Sequence, residues 1–154
     1  NVAKILKQYN HPQQVIELEM TARSALDAAK SLNVPVGAIV KTLIFIIESK
    51  KIHTPVIVLI AGDKKCKTQA LHKILNIEGS VFRPEAKIVK KITGYSIGGV
   101  SPIGLPRELN LIIDTSLRRF EKIWSAAGHP HCVFNSTYKQ LLIMTNALES
   151  DEIT

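Results

Sequence analysis

The chain has 154 residues, of which 45% are hydrophobic and 21% charged: enough apolar material for one folded domain, and too much for a disordered chain. Eight Gly and seven Pro exclude a collagen-like or linker-like composition, and no apolar run approaches the ~18 residues of a membrane helix. Twenty Lys and Arg against thirteen Asp and Glu leave a net charge of +7, which suits nucleic acid first and an anionic membrane second, and equally a lysine-rich solvated surface.

In chain order, Val2, Ile5, Leu6 and Tyr9 repeat with helical spacing, and Gln14 to Glu19 alternates as a strand. Thr21 or Ser24 is suited to cap a helix through Leu32 that stops before Pro35. Val40 to Glu48 and Pro55 to Ala61 are β-branched apolar runs, joined by a polar turn over Ser49 to Thr54, and read as two central strands buried on both faces. A helix over Lys67 to Asn76 and a short strand over Ser80 to Phe82 follow. Pro84 then opens a helix over Glu85 to Ile92, with Gly94 as its stop. Leu109 to Asp114, Lys122 to Ala127 and His131 to Phe134 are further strands, and Ser136 to Ala147 closes the chain as an amphipathic helix. Without an internal repeat, a linker or a regular βαβ rhythm, residues 1–154 read as a single α/β domain. Its sheet is expected to be mixed and partly antiparallel, with helices around it.

Thr93 to Pro106 (TGYSIGGVSPIGLP) runs fourteen residues without a charge and holds four of the eight glycines. It is either a tight turn crossing the core or a backbone cradle in which N–H groups converge on an oxygen. It is not a P-loop, because no Lys follows its glycines. Nor is it a nucleophile elbow: Ile103 stands where the second glycine belongs, and Pro102 after Ser101 has no N–H to give an oxyanion. Ser101 is therefore not expected to be a covalent nucleophile, while Gly98, Gly99, Val100 and Ser101 retain backbone N–H groups. A side chain at Gly99 is expected to stand where a substrate carbonyl would sit. Lys41 lies inside an apolar run, where a charge is costly without a partner, and is either solvent-directed or an electrostatic anchor. Asp114 either supports the loop or the lysine or caps the next turn, and His129 either lines a pocket or simply precedes Pro130.

GGVSPIG at Gly98 to Gly104, preceded by TGY and followed by LNLIIDT, resembles the signature loop of the YbaK/prolyl-tRNA-synthetase-associated editing domain family. MTARSALDAAKSLNV, AIVKTLIF and AAGHPHCVF are similar, in order, to that family's first helix, catalytic strand and C-terminal strand turn. The resemblance implies a YbaK-like fold and an enzyme that hydrolyses the ester between a wrong amino acid and its tRNA. It implies Lys41 as the functional lysine and Gly98 to Pro102 as the loop that contacts the aminoacyl carbonyl. Thr42 matches the branch acting on cysteinyl-tRNA, whereas His129 matches the synthetase-inserted members and some free-standing ones. The partners expected are mischarged aminoacyl-tRNA, probed with alanyl or cysteinyl tRNA(Pro), and prolyl-tRNA synthetase. A non-catalytic module binding aminoacyl-tRNA in the same pocket is the competing expectation.

Lys64, Lys65, Lys67 and Lys73, then Lys87, Lys90 and Lys91, then Arg107, Arg118, Arg119 and Lys122, form basic groups suited to a tRNA rim that positions without reading sequence. Cys66 and Cys132 make no disulfide framework and no CxxC, which suits a reducing, cytoplasmic setting. The N-terminus shows no secretory leader pattern. His129, His131 and Cys132 have no second half at zinc spacing, so neither a metal nor a cofactor is expected.

Overall fold

In a computed structural model, which describes residues 1–20, 24–106 and 108–154, two ten-residue strands organise the molecule. Strands β2 (Val40–Ser49) and β3 (Ile52–Ala61) pair antiparallel from Val40↔Ala61 to Ser49↔Ile52. Lys50 and Lys51 alone make the turn, with φ of 48° and 67°. Two left-handed residues match the twist of the flanking strands, so the ladder runs on through Ile52 to Thr54, where the sequence suggests a longer turn. Lysine carries no Asn-Gly-type signal for that conformation.

The order in the main sheet is β4 (Ser80–Phe82), β2, β3, β5 (Asn110–Asp114) and β8 (Leu148–Ser150). The β2–β3 and β2–β4 pairs are antiparallel, while β3–β5 and β5–β8 are parallel, so the sheet is mixed. Strands β6 (Ile123–Ala126) and β7 (Cys132–Ser136) form a hairpin that pairs with β1 (Ile16–Glu17) in a second, three-stranded sheet. Val56 to Ala61 of β3 is fully buried. Ile57, Leu59 and Ala61 face a cluster with Val100, Ile103, Ile123 and Phe134. Val56, Val58 and Ile60 face Leu71 and Ile153. Both faces of the strand are covered, as its continuous apolar run requires.

Helices close the two sides: α1 (Val2–Gln8), α2 (Ala25–Leu32), α3 (Thr68–Leu75), α4 (Ala86–Thr93) and α5 (Tyr138–Thr145). Ser24 accepts a hydrogen bond from the Asp27 N–H and caps α2; Thr21 lies outside the described residues. Gly94, at φ 81°, ends α4 in the left-handed conformation that glycine supplies cheaply. The short strand β8 follows the left-handed cap Asn146 and presents mostly exposed residues, so no alternation announces it. No described helix is long and apolar enough to cross a membrane.

Candidate active site

Strand β4 pairs with β2 only over Ile46 to Glu48, so among the described residues Lys41 to Phe45 are laddered on the β3 side alone. A strand paired along one edge turns alternate N–H and C=O groups away from its partner. The second sheet approaches this open edge through the Ile39–Trp124 bridge, and a cavity of about 340 Å³ fills the gap between the sheets. Lys41 and Thr42 of β2, Gly98 and Val100 of the glycine loop, and Trp124 and Ser125 of β6 all line it.

Strand alternation puts Lys41 on the face of Ile60 and Thr42 on the face of Leu59, toward the loop and β6. The Lys41 Nζ donates to the Lys64 carbonyl. Burial pushes the lysine below its ordinary value of 10.5, with Lys65 and Arg83 pushing the same way, while Asp63 opposes them. Asp63 is itself clamped by Arg119, whose two terminal nitrogens donate to its carboxylate oxygens at 2.7 and 3.0 Å. That fork holds the Asp63 carboxyl below its ordinary range. The Gly62 N–H donates to the Ile39 carbonyl at 2.8 Å, and a Cβ at Gly62 would run into the Val36 carbonyl. Gly62 and Asp63, which lead into the Lys64 carbonyl offered to Lys41, are thus both held in place.

The glycine loop is tied down by Tyr95, whose hydroxyl donates to the Ile103 carbonyl at 2.7 Å and accepts from Asn1 Nδ2 at 3.3 Å. Within it the Gly99 N–H is spent on the Ser96 carbonyl at 3.0 Å, while those of Gly98 and Val100 have no acceptor among the described residues. Ser101 and Pro102 are buried behind the wall, and the Ser101 hydroxyl accepts from the Ile103 N–H at 3.3 Å. Gly99 packs so tightly that a Cβ there would lie 2.9 Å from the backbone N of His129. The carbonyl position suggested from the sequence is not what this glycine leaves room for.

Other predicted residues sit apart from the cavity. The exposed His129 ring stacks on His131 at 5.5 Å between centroids, and its Nδ1 accepts from the His131 N–H at 3.1 Å. Asp114 does not line the cavity: it is buried on the Ile60 face of the sheet, the face that carries Lys41, and there the Ser116 and Thr154 hydroxyls donate to it. Lys65, Lys87, Lys90 and Lys91 are exposed, and Lys90 Nζ donates to the Gly94 carbonyl at 3.0 Å, serving its own helix end. Arg107 lies outside the described residues.

Residues the sequence reading passed over complete the site. Ser125 is 1% exposed, and its hydroxyl, like that of Thr42, is buried without a hydrogen-bond partner among the described residues. Buried hydroxyls are ordinarily partnered, so these two leave hydrogen-bonding capacity free on the cavity; Ser136, the third such hydroxyl, lies off it. Arg83 enters at the cavity mouth from the link between β4 and α4. A serine inside an alternating strand carries no sequence signal, but the Gly-Asp pair directly after the β3 run offered one for Asp63.

The sequence profile of the aminoacyl-tRNA editing domain matches residues 19–143, spanning α2, the β2–β3 hairpin, the glycine loop and β6–β7. The chain belongs to the aminoacyl-tRNA editing domain family. Among relatives of this editing domain, the uncharacterized protein YwhH of Bacillus subtilis (strain 168) is 28% identical over 134 residues, 87% of this chain and 82% of YwhH. The proline–tRNA ligase of Lactobacillus helveticus (strain DPC 4571) is 30% identical over 129 residues, 81% of this chain; the match spans only 22% of the ligase. A solved structure described as a candidate trans-editing enzyme for prolyl-tRNA synthetase superposes with a TM-score of 0.86 at 28% identity, covering 99% of this chain and 94% of its own. The hypothetical protein APE2540 superposes at 0.87 with 26% identity, covering 99% and 97%.

Proposed function

We propose that this editing domain is an aminoacyl-tRNA deacylase acting in trans, hydrolysing the ester of tRNA mischarged with a small amino acid such as alanine or cysteine, with tRNA(Pro) as the first tRNA to test. The observation that carries the reading is the meeting of Lys41, the Gly98–Val100 backbone and the buried hydroxyls of Thr42 and Ser125 on one cavity. Water adds to the ester carbonyl carbon and negative charge grows on its oxygen. The bond to the ribose oxygen then breaks, that oxygen takes up the proton, and free amino acid and deacylated tRNA leave. The N–H groups of Gly98 and Val100 stabilise the oxyanion, and the Lys41 ammonium anchors the substrate on its ester, ribose or phosphate oxygens. Thr42 and Ser125 meet the polar groups of the aminoacyl end, and Val100 and Trp124 bound its side chain.

Ser101 takes no covalent part, because its hydroxyl is turned into the loop. The likeness along nearly the whole chain to a candidate trans-editing enzyme supports action on tRNA released by a synthetase. Prolyl-tRNA synthetase is the partner this suggests. The test is a panel of mischarged tRNAs that includes alanyl- and cysteinyl-tRNA(Pro), scored for release of amino acid. Release from a small-amino-acid member is expected. Binding throughout the panel with release from none would instead make the domain a carrier of aminoacyl-tRNA.

A further inference from the structure

A second depression adjoins the cavity. It is a groove of about 820 Å³ that shares Arg83 and Pro84 with the Lys41 site and continues along Phe82, His53, Ile88 and Lys91. Phe82 and Ile88, 41% and 36% exposed, stand together on this groove as a pair of accessible apolar side chains. The His53 ring meets Phe82 edge-on, 5.8 Å between centroids at 76°, and is held by Glu48 at 2.5 Å, so the aromatic surface is fixed before anything binds.

Building on the deacylase reading, we infer that this groove binds the cytidine preceding the 3′-terminal adenosine of the tRNA, with Arg83 clasping the phosphate that joins them. Three features fit that occupant. Arg83 lines both depressions, and its guanidinium packs over the Phe45 ring, 5.8 Å to the centroid, on the Lys41 face of β2. Among the described residues it has no carboxylate partner. Its planar fork suits a phosphate. Phe82 and Ile88 present the apolar platform on which single-stranded bases stack. Glu85 and Glu108 also line the groove, opposite in charge to Lys91. Two carboxylates repel a run of phosphates, yet accept hydrogen bonds from the exocyclic amine of a cytosine. The lining therefore fits one base better than a length of backbone.

The test compares an aminoacyl-adenosine, which has no preceding nucleotide, with the same amino acid on the trinucleotide CCA. Phe82→Ser is expected to lower kcat/KM for the trinucleotide ester about tenfold, the scale of one lost stacking contact, while leaving the adenosine ester unchanged. Ile88→Ser, on the neighbouring helix, should act the same way and serves if Phe82→Ser folds poorly. Equal losses on both esters, or no loss on either, would overturn the inference; the second result would leave the groove to a protein partner. Should the wild type cleave neither ester, the panel of mischarged tRNAs decides the deacylase reading separately. Uncharged CCA then decides the groove, since it must bind wild type about tenfold more tightly than Phe82→Ser.

Discussion

Replacing Gly99 by alanine adds one methyl group where the backbone of another turn already sits. The new Cβ would lie 2.9 Å from the His129 N and 3.0 Å from its C and Cα. Carbon contacts relax to about 3.5 Å, so the glycine loop and the turn at residues 128–130 must separate by roughly 0.5 Å. Neither side can yield by a rotamer change, because the obstructing atoms are backbone. Overpacking of this kind costs about 1–3 kcal/mol, which for a chain of this size lowers Tm by roughly 3–10 °C. Gly98 and Val100 flank the substitution and line the cavity, so their displacement should lower kcat/KM for deacylation by about tenfold, short of the ~100-fold that a full ångström can cost. Gly94→Ala is the control. Its Cβ meets nothing within 4 Å but stands at φ 81°, so it should cost about 1 kcal/mol of strain and leave turnover alone. Urea denaturation and single-turnover deacylation of both variants decide the matter. A Gly99→Ala protein as stable and as active as wild type would refute the argument from close approach.

Lys41→Ala should lower deacylation by at least about 100-fold while preserving the fold, since the amine it removes is one that burial disfavours as an ammonium; turnover at the wild-type rate would remove Lys41 from the mechanism. Because burial depresses the folded pKa of Lys41 below 10.5, its contribution to stability is fully present above 10.5 and is lost as pH falls through the lowered folded value. Activity that needs the ammonium runs the other way, declining as pH rises through that folded value, and a rate that is flat up to 10.5 after subtraction of base hydrolysis would contradict it. Asp63→Asn should shift this alkaline decline to lower pH by removing the charge that favours the ammonium, while unfolding free energy falls by no more than about 1 kcal/mol because the Asp63–Arg119 pair is partly exposed. An unmoved decline would separate Asp63 from Lys41. Affinity for tRNA should fall steeply with added salt, and Lys87→Glu with Lys91→Glu should raise KM more than it lowers kcat; salt-independent binding would reduce the basic surface to a solvated one.

Local physics made much of this molecule legible from its residues. The β-branched runs at Val40 and Pro55 have no polar face, so they had to become strands covered on both sides. Ser24 and Gly94 mark helix ends through capping and left-handed geometry that depend on few neighbours. A lysine inside an apolar strand and a chargeless glycine segment likewise stood out before any coordinates, and they do meet on one cavity.

What no window of sequence decides is direction and company. Within one loop, Gly98 and Val100 line the cavity while Gly99, Ser101 and Pro102 face inward, because Asn1, through Tyr95, and the His129 backbone orient the segment from far along the chain. His129 points outward for the same reason: its turn lends backbone to the packing and leaves the ring outside. Arg83, Ser125 and the Asp63–Arg119 clamp reach the site from separate elements. Their meeting depends on how two sheets stand apart along the open edge of β2. That gap follows from the packing of whole faces against each other, a sum over many distant contacts to which each residue's own preferences contribute little.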